Sequence, residues 1–281
     1  MLSKIFYQTN VTIPDVEHML ISNGVKLYTK RNLCAAPKAV IVIVHGLAEH
    51  LDRYDYLANY LQRRNFAIYR YDQRGHGRSA GERGAYTDFN NFADDVKNVV
   101  AWARSENQHL PIFVLGHSMG GGSVMAFGTK YPNYVKGIIS ISALTRYNTH
   151  IMGDKIKHDP EESVPNALGD GVNTSKYVTD DYANDPLNLK QLRGSILNAM
   201  FDLTDYLKQN AKKFIDPVLI IHGAADGVVS PLDSVQSWNE IGSTDKELHI
   251  YPHLMHEVLN EPSRKHDIYQ EIVTWITNHI A

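Results

Sequence analysis

The sequence predicts an α/β fold with a mainly parallel sheet of about eight strands flanked by helices. Short apolar, β-branched runs alternate with segments of helical periodicity along most of the 281 residues, and this alternation is typical of crossover connections between parallel strands. The length is sufficient for one large domain. The alternation stops between residue 145 and about residue 214. We therefore expect an insertion after the sixth strand.

The first two runs, 18–21 and 25–31, are separated by Ser22, Asn23 and Gly24. Turn residues of this kind predict an antiparallel hairpin that opens the sheet. Six apolar runs follow, and we interpret them as strands that are buried on both faces. They cover residues 39–44, 67–71, 112–115, 137–142, 218–222 and 247–251.

Helical segments lie between these runs, and each can bury one apolar stripe on the sheet. Four of them centre on Leu57, Val96, Val235 and Ile272, and a fifth follows Gly122. Inside the irregular segment, only residues 192–213 are strongly helical. We predict a core domain of residues 1–144 and 215–281, and a cap domain of residues 145–214.

Composition excludes several classes of protein. The formal charge is −3 and the lysines and arginines are scattered, so we expect no nucleic-acid partner. Cys34 is the only cysteine and cannot form an internal disulfide, which is compatible with a reducing cytosol. The sequence contains neither an apolar run typical of a signal peptide nor one of about eighteen residues that would span a membrane. We expect a soluble, cytoplasmic protein.

The segment Gly116-His117-Ser118-Met119-Gly120 lies between the run 112–115 and a helical stretch. It has the G-x-S-x-G pattern of the nucleophile elbow of α/β-hydrolases. A serine on so tight a turn takes an unfavourable backbone conformation, and side chains at the flanking glycines would collide with the strand and the helix. We predict Ser118 as a nucleophile, with His117 packing away from the reacting centre. A plain turn of glycine and serine is the alternative.

A serine nucleophile needs a histidine base and a carboxylate that orients it, in the chain order Ser, Asp or Glu, His. The loop after the last run contains His253 and His256, and we favour His256, at the far end of the loop. For the acid we favour Asp226, which follows the run 218–222, because active-site groups collect at the carboxyl ends of parallel strands. An ordinary turn aspartate is the alternative reading, and Asp233 is the weaker competitor.

The oxyanion of acyl transfer needs two preorganised donors. The amide of Met119, at the N-terminus of the helix after Ser118, is one candidate. The second is the amide of Leu47, in the loop His45-Gly46-Leu47, where we expect Gly46 to let the backbone turn. We interpret His45 and His50 as structural residues and expect no metal and no cofactor, because no histidine or acidic partner stands at the spacing of metal ligands.

Five stretches together resemble the monoacylglycerol lipase and lysophospholipase-like group of serine α/β-hydrolases. They are HGLAEHLDRY from His45, YDQRGHGRSAGERG from Tyr71, LGHSMGGG from Leu115, HGAADGVVSP from His222 and YPHLMHEVLNEP from Tyr251. The resemblance implies hydrolysis of monoacylglycerols or similar single-chain esters. It also implies a triad of Ser118, Asp226 and His256, and an oxyanion hole formed by the amides of Leu47 and Met119.

Two details of the resemblance concern loops. The RGHGRS stretch is expected to be structural, shaping the loop after the fourth strand. The chain departs from the pattern at Leu47-Ala48, where many relatives have Ala-Gly, and the bulkier loop could narrow the acyl site. A general carboxylesterase or lysophospholipase remains the alternative within enzymes, and a non-catalytic ligand-binding member of the fold is the alternative from another class.

The helical stretch of the insertion predicts a role in substrate binding. On a helical wheel, residues 192–209 spread their apolar side chains over an arc of roughly 220°, which is wider than packing on a core requires. We expect the surplus to bind an acyl chain through Leu197, Met200 and Phe201, and to allow transient contact with a lipid surface. Burial under other cap segments, or a dimer contact, is the alternative.

Overall fold

The main sheet has eight strands and is mostly parallel. The computed structural model describes residues 16–169 and 171–280. The sheet strands are β1 (Val16–Ser22), β2 (Val25–Asn32), β3 (Ala39–Val44), β4 (Phe66–Tyr71), β5 (Ile112–His117), β6 (Gly137–Ile141), β9 (Val218–Gly223) and β10 (Lys246–Tyr251). Their order is β1-β2-β4-β3-β5-β6-β9-β10. β2 is antiparallel to β1 and β4, and the other pairs are parallel, which confirms the predicted fold class.

The hairpin that opens the sheet has a two-residue turn. Ser22 pairs with Val25, and between them Asn23 and Gly24 have φ angles of 45° and 79°. Positive φ at both central residues is the geometry of the turns that match the twist of two antiparallel strands. The Asn-Gly sequence therefore produces the hairpin predicted from it.

Helices cover both faces of the sheet. They are α1 (Asp55–Gln62), α2 (Asn90–Glu106), α3 (Met119–Lys130), α6 (Pro231–Glu240) and α7 (Lys265–His279). Successive side chains of β3 point to opposite faces: Val40, Val42 and Val44 join an apolar cluster with residues of α2 and α3, whereas Ile41 and Ile43 join one with residues of α1 and α7. The central strands are thus buried on both faces, as predicted.

β10 differs from the central strands. It lies at the edge of the sheet and pairs only with β9 in the described part of the chain, and Ile250 is 40% exposed. The expectation that this strand is buried on both faces is wrong, because an edge strand is covered less completely than its neighbours.

The segment between β6 and β9 forms a separate set of elements. They are β7 (Ser163–Pro165), α4 (Lys176–Asn184), β8 (Gln191–Arg193), α5 (Gly194–Gln209) and a 3₁₀ turn (Ala211–Lys213). β7 and β8 pair in a small antiparallel sheet of their own. The expected helix at residues 192–213 is shorter than predicted, since Leu192 lies in β8, and the sequence analysis did not identify α4.

The apolar face of α5 is covered by the rest of the protein. Leu197, Met200 and Phe201 are all buried, and a Cβ placed on Gly122 of α3 would lie 3.1 Å from Leu203. The expectation that this face rests on a lipid surface is therefore wrong, because α5 packs on the first turns of α3. Neither α5 nor any other helix in the described ranges is long and apolar enough to cross a membrane.

The start of the insertion is held by one buried carboxylate. Asp233, in the first turn of α6, is fully buried. Its two carboxylate oxygens accept hydrogen bonds from the backbone amides of residues 145–148, at 2.8–3.2 Å. Both oxygens of Asp233 are therefore occupied by backbone amides, which agrees with its lower ranking as the acid of the predicted triad.

Candidate active site

Ser118 occupies a strained turn between β5 and α3. Its φ and ψ angles are 55° and −120°, a region that residues other than glycine rarely adopt. A Cβ at Gly116 would lie 2.2 Å from the carbonyl oxygen of Gly120, and one at Gly120 would lie 2.3 Å from the carbonyl oxygen of His45. Glycine is required at both positions because strand, helix and loop approach each other so closely.

His256 and Asp226 meet across two loops. The Nδ1 of His256 lies 2.8 Å from Oδ2 of Asp226, so Nδ1 carries the hydrogen and Nε2 is left to accept a proton. Ser118 directly follows His117, whose ring centroid is 4.7 Å from that of His256. The fold thus brings the three predicted residues to the same edge of the sheet.

The carboxylate of Asp226 is held as an anion. Oδ1 accepts hydrogen bonds from the amides of Val228 and Val229, at 2.8 and 2.9 Å. Burial alone would raise the pKa of Asp226, but His256 and His222 more than offset it and hold the pKa well below its usual range. An ionised carboxylate in this position can fix the tautomer of His256 and stabilise its protonated form.

The two histidines of the last loop differ in environment. His256 is buried, whereas His253 is exposed and has a φ of 65° in a turn. The loop thus directs His256 inward and leaves His253 in solvent, which supports the order in which the sequence analysis ranked them.

The loop after β3 passes directly beside Ser118. A Cβ at Gly46 would lie 2.8 Å from Oε1 of Glu49 and 3.1 Å from the Cβ of Ser118. Gly46 has no positive φ; the left-handed residue of the loop is Ala48, at 61°. The expectation that Gly46 makes the backbone turn is wrong. Glycine is needed at position 46 because a side chain there would collide with Glu49 and Ser118. The turn itself is made at position 48, where many relatives have glycine.

The loop after β4 holds His45, the first residue of the loop after β3, in place. The amide of Gln73 donates to Nε2 of His45 at 2.8 Å, and the Gln73 side chain donates to the carbonyl oxygen of His45 at 2.6 Å. Asp72 accepts from the amides of Leu51 and Arg78. These contacts agree with a structural role for the RGHGRS stretch and for His45.

A buried ionic network adjoins the site, and the sequence analysis did not identify it. Arg53 donates to Glu49 at 3.1 Å, to Glu257 at 2.9 Å and to Asp181 of α4 at 3.2 Å. Glu49 in turn accepts from the amide of Gly46 at 2.5 Å. Burial would raise the pKa of Glu49, but His117 and Arg53 hold it well below its usual range. One guanidinium therefore joins the loop after β3, the histidine loop and the insertion.

The insertion closes over these loops. The amide of Leu189 donates to the carbonyl oxygen of Ala48 at 2.9 Å, and the amide of Glu257 donates to that of Val172 at 2.8 Å. A cavity of about 240 Å³ lies beneath α4 and is lined in part by Val172, Tyr182 and Glu257. His50 also bonds to the insertion, with Nε2 2.8 Å from Asp185, which gives this histidine a structural contact.

Among residues 16–169 and 171–280, no cluster of three or more histidine, cysteine or acidic side chains is arranged to hold a metal ion. What the site offers chemically is a strained serine, a histidine with one free nitrogen, a buried carboxylate and two backbone amides at tight turns.

The fold and this strand-turn-helix arrangement define an α/β-hydrolase. A family model described as "Serine aminopeptidase, S33" matches residues 35–263. A monoacylglycerol lipase from Mycolicibacterium smegmatis is 33% identical over 255 residues, which cover 87% of this chain and 90% of that protein. The human monoglyceride lipase is 29% identical, and the match covers 98% of this chain and 95% of that protein.

Solved structures agree with this match. A monoacylglycerol lipase from Paleococcus ferrophilus is 25% identical, with a TM-score of 0.78. The match covers 90% of this chain and 99% of that protein. A monoglyceride lipase variant from Saccharomyces cerevisiae shares the fold, with a TM-score of 0.86. It is 22% identical, and the match covers 95% of both chains. The chain belongs to the serine aminopeptidase S33 family of hydrolases, as a monoacylglycerol lipase-like member.

Proposed function

We propose that this protein is a carboxylic ester hydrolase that forms an acyl-enzyme on Ser118 and acts on monoacylglycerols. The observation that carries the proposal is the hydrogen bond of 2.8 Å between His256 and Asp226, set beside a serine with a left-handed backbone. This combination supplies a nucleophile, a base and an orienting carboxylate.

In the proposed reaction, Nε2 of His256 takes the proton of the Ser118 hydroxyl as its oxygen attacks the ester carbonyl. Asp226 stabilises the imidazolium through Nδ1. The amides of Leu47 and Met119 stabilise the oxyanion; Met119 is the first residue of α3, so its amide has no acceptor within the helix. His256 then gives its proton to the leaving alcohol, and a water molecule, activated in the same way, releases the acid.

The preference for a single-chain ester rests on the insertion, residues 145–214, acting as a cap. Leu197, Met200 and Phe201 of α5 belong to the same apolar cluster as Leu47 and Met119, and α5 packs on the start of α3, where Leu203 meets Gly122; this supports an acyl-binding surface that a long chain extending from Ser118 would reach. Each methylene buried there contributes about 0.8 kcal/mol. Relatives named monoacylglycerol lipase, 33% and 25% identical to this chain, support the same substrate class.

The family description suggests a second candidate, an aminopeptidase. Such an enzyme must bind the ammonium group of a peptide, and an unpaired carboxylate is the usual partner for that charge. The buried acids beside the site are Glu49 and Glu257, and both are already paired with Arg53. The ionic network therefore favours an uncharged ester over a peptide amine.

A transient contact with a lipid surface remains part of the proposal, through a different part of the cap. Ile156 is 63% exposed and is followed by Lys157, while Lys155 before it is paired with Asp205; an exposed apolar side chain beside a lysine is suited to anionic lipid interfaces. Co-sedimentation with anionic vesicles should decrease in an Ile156→Ser variant. Equal binding by both proteins would remove this contact from the proposal.

The proposed function is tested with the purified protein and its Ser118→Ala variant. The panel holds monoacylglycerols of several chain lengths, p-nitrophenyl butyrate, a lysophospholipid and an aminoacyl p-nitroanilide. We expect turnover of the esters with the highest kcat/KM for monoacylglycerols, and loss of turnover and of fluorophosphonate labelling in the variant. Labelling of Ser118→Ala, or preferred hydrolysis of the anilide, would contradict the proposal.

A further inference from the structure

Asp226 is bonded to a second histidine, which the reaction described above does not use. The Nε2 of His222 lies 3.0 Å from Oδ2 of Asp226, the same oxygen that accepts from His256. His222 is completely buried near the end of β9. Two imidazole rings therefore converge on one carboxylate oxygen.

The protonation of this ring follows from its neighbours. Nε2 of His222 faces two acceptors, Oδ2 of Asp226 and, also at 3.0 Å, the carbonyl oxygen of Val229. Since neither of these oxygens donates, Nε2 must carry a hydrogen. Nδ1 lies 2.7 Å from the hydroxyl of Ser234 on α6, and this hydroxyl can donate to it. The neutral tautomer with the hydrogen on Nε2 thus satisfies both nitrogens.

These contacts clamp the ring at both ends. One end is fixed by the helix through Ser234 and the other by the turn through Asp226 and Val229, while the backbone of His222 pairs with Ile250 of β10. With the amides of Val228 and Val229 on Oδ1, the carboxylate receives hydrogen bonds on both oxygens. It has little freedom to rotate away from His256.

We propose that His222 is a positioning residue for the reaction: it holds Oδ2 of Asp226 at the orientation in which that oxygen accepts the Nδ1 hydrogen of His256. This inference rests on the proposed ester hydrolysis. It predicts that the hydrogen-bond donor at position 222 matters for kcat, beyond the space that the side chain fills. A purely structural histidine would instead be replaceable by any ring of similar shape.

The experiment compares His222→Phe, which keeps a ring without a donor, with His222→Gln, whose amide places a donor near the position of Nε2. Outer hydrogen-bond partners of metal-bound histidines affect activity by about 10–100-fold, and we expect a loss of that order in kcat for His222→Phe, with little change in KM. His222→Gln should recover most of the activity. Ser234→Ala should show a smaller loss, while Ser237→Ala, one turn further along α6, should match the wild type.

The outcomes separate this inference from the proposed function. If the wild-type protein hydrolyses no ester, the proposed function fails. If it does, and His222→Phe keeps the wild-type kcat, or His222→Gln and His222→Phe lose activity equally, the positioning role is wrong. Should His222→Phe fail to fold, Ser234→Ala carries the test, and a kcat equal to that of Ser237→Ala overturns the inference.

Discussion

The ring of His117 packs against His256, and Nε2 of His117 donates to the backbone carbonyl oxygen of His256 at 3.2 Å. The other ring nitrogen lies 3.5 Å from Oε1 of Glu49. Both nitrogens thus face acceptors, an arrangement that favours the imidazolium. Burial alone would lower the pKa of His117, but Glu49 raises it above the ordinary value. The expectation that His117 packs away from the reacting centre is therefore wrong, because its ring lies against that of His256 and has an electrostatic role as well as a packing role.

The interaction of His117 with Glu49 predicts a pH-dependent contribution to stability. The folded protein holds the proton of His117 more tightly than the unfolded chain, so the contribution is fully present below the unfolded pKa of about 6.5 and is lost as pH rises through the folded pKa. His117→Gln should lower Tm more at pH 5.5 than at pH 9. Thermal unfolding across this range checks the prediction, and a uniform difference between the two proteins contradicts it.

Replacement of the two loop histidines should separate them by orders of magnitude. We expect His256→Ala to lower kcat by about 10³–10⁵-fold, because the base is lost. His253→Ala should stay close to wild type, since His253 is exposed. Steady-state kinetics with p-nitrophenyl butyrate measure both. Equal losses, or the reverse ranking, would show that the wrong histidine was assigned.

Asp216 provides a second stability prediction, in which stability is again lost as pH rises, but over a more acidic range. Its carboxylate is buried and accepts a hydrogen bond from the amide of Asn133, while Oδ2 has no partner among the described residues. Burial raises the pKa of Asp216 to about 6. Since the unfolded chain ionises near 3.9, the folded state loses stability as pH rises from about 4 to 6.

Asp216→Asn removes this ionisation and keeps an acceptor for the amide of Asn133. The variant should therefore unfold at a higher temperature than wild type at pH 8, and the advantage should shrink towards pH 4. Calorimetry at several pH values makes the comparison. A wild-type protein that is the more stable of the two at pH 8 would refute the assignment of the raised pKa.

The acyl-binding role of α5 is tested by truncating its buried side chains. Leu197→Ala and Phe201→Ala should reduce kcat/KM for long-chain esters and leave acetate esters nearly unaffected, because only a long chain reaches that surface. Each change also costs about 2–5 kcal/mol of stability, so assays must be run well below Tm. Leu207→Ala, near the other end of the same helix, is the matched control. Proportional losses on both esters would mean that α5 is only structural.

The fold could be predicted from the sequence because strand burial and turn chemistry are local. Continuous apolar runs identified the central strands, and Asn23-Gly24 identified the hairpin. The edge position of β10 depends on strand order, which periodicity does not encode. α4 was missed because only Tyr182 of that helix is buried, so it has no apolar stripe to recognise.

In the candidate site, too, the residues that lie in local motifs could be predicted, whereas contacts between distant parts of the chain could not. Ser118, Asp226 and His256 stand in short motifs with a fixed chain order, so the sequence was sufficient to propose them as the triad. His222 belongs to one of these motifs, but its bond to Ser234 depends on how β9 packs on α6. The pairing of Arg53 with Glu257 joins residues 204 positions apart, and no local pattern indicates which of many acids an arginine will meet.

The carboxylate of Asp233 defines where the cap can be exchanged. It comes from the core, yet it binds the first four amides of the insertion, so residues 145–148 are held to the core although the predicted cap begins at residue 145. A chimera that replaces residues from 145 onward puts foreign backbone against this carboxylate, whereas one that begins at 149 leaves the native junction intact. Recombination of caps between relatives should therefore succeed more often at the second boundary, and substrate range can be varied there without rebuilding the hydrolase beneath it.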